Sequence, residues 1–109
     1  MARLVGDTLA DKLAEDIVVL DLRGATIIAD YFVICTGTTE RQLNALVDAL
    51  LDLDKSQGIR ARKVEGMPES GWVLVDFGGV IAHLFSPERR AYYQLEQIWS
   101  GARVVVRMA

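Results

Sequence analysis

"GWVLVDFGGVIAHLF", residues 71–85, decides the fold. Two short apolar runs flank Gly78 and Gly79, and a glycine pair between such runs predicts a β-hairpin with a two-residue turn. Phe77 then pairs with Val80, and Val75 with Ala82. Side chains alternate between the faces of a strand. One face therefore carries Val73, Val75, Phe77, Val80, Ala82 and Leu84, wholly apolar and assigned to the core. The other carries Trp72, Leu74, Asp76, Ile81, His83 and Phe85. On this register Trp72 lies opposite Phe85, Leu74 opposite His83, and Asp76 diagonal to His83. A three-residue turn would mix the two sets and put His83 in the core, so register matters.

The second face combines large apolar groups with one acid and the chain's single histidine. Two readings fit it. A partner covers it, with the aromatic side chains as anchors, or a helix of the same chain covers it and His83 is an interior histidine. The residues alone leave both open.

Outward from the hairpin, Leu4, Leu9, Leu13, Ala10 and Ala14 predict an amphipathic helix over residues 3–15. "IVVLDL" (17–22) and "YFVICTG" (31–37) predict buried strands. Thr39 with Gln42 three residues on matches a capping box. Leu43, Leu46, Val47, Leu50 and Leu53 continue at helical spacing towards a stop at Gly58. "IRARKVEG" (59–66) predicts a half-exposed strand and "MPESG" a loop. Ser86 and Pro87 start a further helix, expected to run to about Trp99 with Tyr92, Leu95 and Trp99 on one stripe. "ARVVVRM" (102–108) forms a last strand or an ordered tail. The order αββαβββα predicts an α/β (α+β) fold, a mixed sheet of about five strands flanked by helices.

With 109 residues, 51% of them hydrophobic and 25% charged, the chain is expected to form one domain over 1–109. A net charge of −3 speaks against broad or sequence-specific nucleic-acid binding and suits a basic protein partner. No run approaches the ~20 apolar residues of a membrane span, and the N-terminus carries no signal-peptide pattern. A lone Cys35 fits a reducing compartment. A cytoplasmic protein is expected.

Enzyme chemistry finds little material. Asp76 and His83 resemble two members of a hydrolytic triad, but no nucleophile accompanies them and Cys35 sits in an apolar strand. One histidine and one cysteine make a poor metal site. "TGTTER" (36–41) offers a helix N-terminus as a phosphate cradle, without the Gly-Lys-Ser/Thr ending of a P-loop. Asp21 and Asp76 are single acids, where magnesium-dependent nucleotidyl transfer needs them clustered. No enzymatic activity and no cofactor are expected. Arg89 and Arg90 break a local rule, as cations in a helix's first turn.

The ordered set "AEDIVVLDLRG", "DYFVICTGTTERQ", "VEG", "GWVLVDFGGVIAHLF" and "RAYYQLEQIW" resembles the ribosomal silencing factor family, also called the Iojap family. It covers about residues 14–99. The resemblance implies a mixed sheet with flanking helices, distantly related to nucleotidyltransferases without their catalytic acids. It also implies a function: binding a large-subunit ribosomal protein, the one numbered fourteen, and sterically blocking subunit joining when nutrients fail. Carried over by position, it nominates Trp72, Leu74, Asp76, His83, Arg90 and Tyr93 as partner contacts, and it implies homodimers. Two positions depart from the family pattern: Gly79 stands where an acid is usual, and Thr38 and Thr39 where serine is common. The alternative expectation is a residual nucleotide-binding or nucleotidyl-transfer protein using "TGTTER" and Asp76.

Overall fold

The computed structural model describes residues 1–94 and 103–108. Helix α1 (Ala2–Asp11) leads into strands β1 (Glu15–Asp21) and β2 (Tyr31–Thr36). Helices α2 (Glu40–Leu51) and α3 (Leu53–Gln57) follow, then β3 (Lys63–Met67) and a 3-10 turn at Pro68–Ser70. The hairpin β4 (Trp72–Asp76) and β5 (Val80–Phe85) precedes α4 (Pro87–Tyr93), and β6 (Arg103–Met108) closes the described chain. Six strands form one mixed sheet in the order β3-β4-β5-β2-β1-β6. Only the central pair, β2 with β5, is parallel.

The sequence of each strand reports its place in that order. β1, β2 and β5 lie inside the sheet with both faces covered, and they read as continuous apolar runs. β4 alternates buried with half-buried residues, and edge strand β3 is exposed throughout. One face of the sheet packs Ile17, Val19, Val33, Cys35, Val75 and Ala82 against Leu9, Leu43, Leu46 and Leu50 of α1 and α2. The opposite face gathers Val18, Leu20, Phe32, Ile34, Ile81 and Phe85, flanked by Trp72, Leu74 and Tyr93.

The hairpin has the expected register: Trp72 lies opposite Phe85, Leu74 opposite His83 and Val75 opposite Ala82. The Phe77 amide donates to the Val80 carbonyl at 2.8 Å, closing a two-residue turn in which Gly78 has φ +98°. Of the stretch 102–108, residues 103–108 form a strand pairing with β1. The sheet therefore has six strands where about five were expected.

Four expectations need correction. The first helix ends at Asp11, and Leu13, expected on its apolar stripe, takes φ +65° and is 77% exposed. Val5 and Leu9, four residues apart and therefore on one side of the helix, supply the buried stripe instead. The second helix breaks at Asp52 before Gly58 ends α3 in the left-handed region. The strand expected over 59–66 starts at Lys63, because Ile59 and Ala61 turn towards the core from a loop. Helix α4, expected to run to about Trp99, ends at Tyr93, where Gln94 adopts φ +46°. Tyr92 points out, 76% exposed, while Leu95 and Trp99 lie outside the described residues.

The caps are as expected, with one displacement. Thr39 Oγ1 accepts the Gln42 amide at 3.0 Å, and Ser86 Oγ accepts the Arg89 amide at 3.2 Å. A capping box would return the Gln42 side chain to the Thr39 amide. Here Gln42 Oε1 accepts the Thr38 amide at 2.8 Å, and its Nε2 donates to the Leu13 carbonyl at 2.8 Å. That bond ties the left-handed residue after α1 to the start of α2.

Candidate interaction surface

Three cross-strand rows build the second face. Met67 lies opposite Trp72 and Trp72 opposite Phe85; Glu65 opposite Leu74 and Leu74 opposite His83; Lys63 opposite Asp76 and Asp76 opposite Ile81. Each row is exposed on edge strand β3, half-buried on β4 and buried on β5. The face thus slopes from solvent into the core, and Trp72 and Leu74 sit at the break of slope.

There they line a groove of about 360 Å³ with Glu65, Ser70, Arg89 and Tyr93. Trp72 stacks on Phe85 with ring centroids 5.1 Å apart, and Tyr93 of α4 lies 4.5 Å from it. The floor is aromatic and aliphatic, and one acid and one base stand on the rim. Such amphipathic concavities suit a protein partner's side chains.

His83 lies beneath this floor, 4% exposed. The Trp72 Nε1–H donates to its Nδ1 at 3.2 Å, and Phe32 meets the imidazole edge to face at 4.5 Å. Burial pulls its pKa down to about 4, so the ring is neutral at pH 7. With Nδ1 accepting, the proton sits on Nε2, which is buried without a hydrogen-bond partner. A hydrolytic triad needs the reverse arrangement, an Nδ1–H donating to the acid.

Asp76 is occupied elsewhere. Its Oδ1 accepts the Gly78 amide at 2.7 Å and so braces the hairpin turn. Arg90 is not at the groove: it lines a separate depression with Asp16, Thr36 and Gln94. The structure therefore brings Trp72, Leu74 and Tyr93 together, sets His83 below them, and places Asp76 and Arg90 apart. Glu65, Ser70, Arg89 and Met67 were not among the residues expected to meet a partner. The pairing of "VEGM" with "WVLVD" is the signal that would have found the first and last of these.

The other residues weighed for enzyme or nucleotide chemistry are already engaged. Arg23 and Arg103 each hold Asp21 Oδ2 at 2.9 Å, and Arg23 foremost keeps that carboxyl well below the usual carboxylate range. The phosphate-cradle turn has its Thr38 and Gln42 amides capped internally, and Glu40, Glu69 and Glu88 crowd the same hollow. Burial pushes the Cys35 thiol up to about 12, which leaves it inert. Among the described residues no three His, Cys, Asp or Glu side chains are placed to hold a metal ion, and no helix is long and apolar enough to cross a membrane.

The chain resembles known proteins over nearly its whole length. The family model described as "Ribosomal silencing factor during starvation" matches residues 1–108. Ribosomal silencing factor RsfS of Bacillus subtilis is 45% identical over 92 residues, covering 84% of this chain and 78% of that protein. "Mitochondrial assembly of ribosomal large subunit protein 1" of Mus musculus is 38% identical over 95 residues, covering 84% of this chain and 42% of that protein. An X-ray structure of a protein from Chromobacterium violaceum superposes with a TM-score of 0.85 at 32% identity, covering 95% of this chain and 88% of that one. None of these three is named as an enzyme.

Proposed function

The chain belongs to the ribosomal silencing factor family, and from that premise we propose that it docks through the Trp72 groove on a protein of the large ribosomal subunit. Docked there, in the cytoplasm, it stands in the way of the small subunit and represses translation under nutrient limitation. The large-subunit protein numbered fourteen, implied by the family resemblance, is the proposed partner. The name of the mouse relative supports the choice of subunit.

One observation carries this reading. Trp72, Leu74 and Tyr93 form a concave, half-buried aromatic floor. Binding hot spots are of this kind, because a large rigid ring in a concavity loses much water and little entropy on docking. A net charge of −3 complements a basic ribosomal protein and steers its approach. The nucleotide-binding alternative loses support from the capped turn and from Asp76, whose Oδ1 is taken up by the Gly78 amide.

Co-sedimentation of the purified chain with isolated large subunits tests the proposal, followed by addition of small subunits and a count of joined particles. Binding with suppressed joining supports it. Failure to bind large subunits, or binding without any effect on joining, overturns it. A nucleotide titration on the same sample tests the alternative.

A further inference from the structure

We propose that His83 is a positioning residue for the groove: its Nδ1 holds the Trp72 indole with the N–H turned inward, so that the ring offers an incoming partner a wholly apolar surface. The proposal rests on the reading of Trp72 as the docking anchor.

An indole N–H can only donate. Turned to the groove it would bond to water, and docking would strip that water and leave a buried donor unpaired, which weakens binding. His83 removes that penalty beforehand by accepting the bond at 3.2 Å from below. The ring is also fixed in orientation. Phe85 stacks on it at 5.1 Å, Tyr93 flanks it at 4.5 Å, and His83 lies 6.0 Å away at 36°. A side chain already held in its bound conformation loses less entropy on docking.

The chemistry of position 83 points the same way. Only a neutral imidazole with its proton on Nε2 can accept at Nδ1, and that Nε2–H is buried with no acceptor. A leucine here would bury no polar atom of its own, but it would leave the inward-turned Trp72 N–H without its acceptor. The polar service His83 performs is the one directed at Trp72. A local rule broken in this way marks a functional position.

Proton–nitrogen NMR of the indole Nε1–H, with Trp72→Phe identifying the Trp72 signal, is measured beside binding to isolated large subunits for three proteins. In the parent chain the Trp72 signal is shifted by its hydrogen bond and slow to exchange. His83→Leu should fold, lose that signature, and bind about tenfold more weakly. His83→Asn, whose Oδ1 stands near the place of Nδ1, should keep both the signature and the affinity. A folded His83→Leu with an unchanged indole signal, or with undiminished affinity, overturns the proposal. If His83→Leu does not fold, His83→Asn decides: bond and affinity retained support the proposal, and affinity lost with the bond intact overturns it. Should the parent chain fail to bind subunits, the docking reading falls. The indole signal in His83→Leu then still shows whether His83 holds the ring.

Discussion

Arg90 reaches from α4 to the start of β1, where its Nη1 donates to the Asp16 carbonyl at 2.6 Å and to Thr36 Oγ1 at 2.9 Å. Asp16 presents that carbonyl because β1 bulges there, with Asp16 at φ +49° and a register shift between Glu15 and Val18. One side chain thus ties α4 to the ends of β1 and β2. A cation that looked misplaced in a helix's first turn is explained by a receptor 74 residues away in sequence.

Arg90→Ala should therefore act first on folding. Hydrogen bonds to a charged group contribute about 1.5–3 kcal/mol, and the partly exposed setting favours the lower end. The expected loss is about 1–2 kcal/mol in urea unfolding, together with weaker docking through a loosened Tyr93. A variant as stable as the parent but deficient in binding would instead make Arg90 a direct contact.

Two glycines separate backbone strain from collision. Gly66 has φ +83°, and a Cβ there would run into the Trp72 carbonyl across the β3–β4 ladder. Gly78 has φ +98°, but its Cβ would meet only the Arg62 side chain at an ordinary 3.4 Å. Left-handed backbone costs a non-glycine residue roughly 1–2 kcal/mol. Gly78→Val should cost about that much. Gly66→Ala should exceed it and disturb the groove, since the displaced backbone carries Trp72. Equal melting temperatures for the two variants would mean that β3 simply shifts away.

Acid should weaken the fold in a defined window. His83 has a folded pKa of about 4 against 6.5 when unfolded. The unfolded chain takes up the proton first, so stability falls as pH drops from about 6.5 towards 4 and is complete above that range. The full loss approaches about 3 kcal/mol. Protonation at Nδ1 also breaks the bond from Trp72. Urea midpoints at pH 7 and pH 4.5 read this directly, and His83→Leu should flatten the difference. Asp21, held below the usual carboxylate range by its arginines, loses its contribution only at lower pH.

Parity along the hairpin told which face each residue takes, because a two-residue glycine turn leaves one register. It could not tell depth. Trp72 and His83 share a face, yet Trp72 is half-buried and His83 is buried. The difference is sheet order: β5 has β4 and β2 on its flanks, while β4 has only a bare edge strand beyond it. Sheet order is a long-range property that no local pattern carries. The same holds for Arg90, whose acceptors come from a bulge and a strand end far along the chain. The end of α4 escaped for a local reason. Gln94 makes the left-handed turn that glycine usually signals.

Trp72→Ala separates anchoring from packing. The ring is half-buried, so its truncation should cost about 2 kcal/mol of folding stability, short of the 3–5 kcal/mol of a fully buried tryptophan. The apolar face of the hairpin does not involve it: Val73, Val75, Phe77 and Leu84 pack against the helices on the other side. Domains of this size hold about 5–15 kcal/mol, so the variant should stay folded at room temperature. Docking should suffer by on the order of 2 kcal/mol, roughly a thirtyfold loss of affinity for the large subunit. Leu46→Ala is the matching control. It empties a fully buried site under α2, should cost about 2–5 kcal/mol of stability, and should leave the affinity of the folded fraction unchanged. Thermal unfolding and subunit binding, measured on both variants, place each residue on one axis or the other. A folded Trp72→Ala that binds and blocks joining like the parent would remove the groove as the docking site, whatever Leu46→Ala shows.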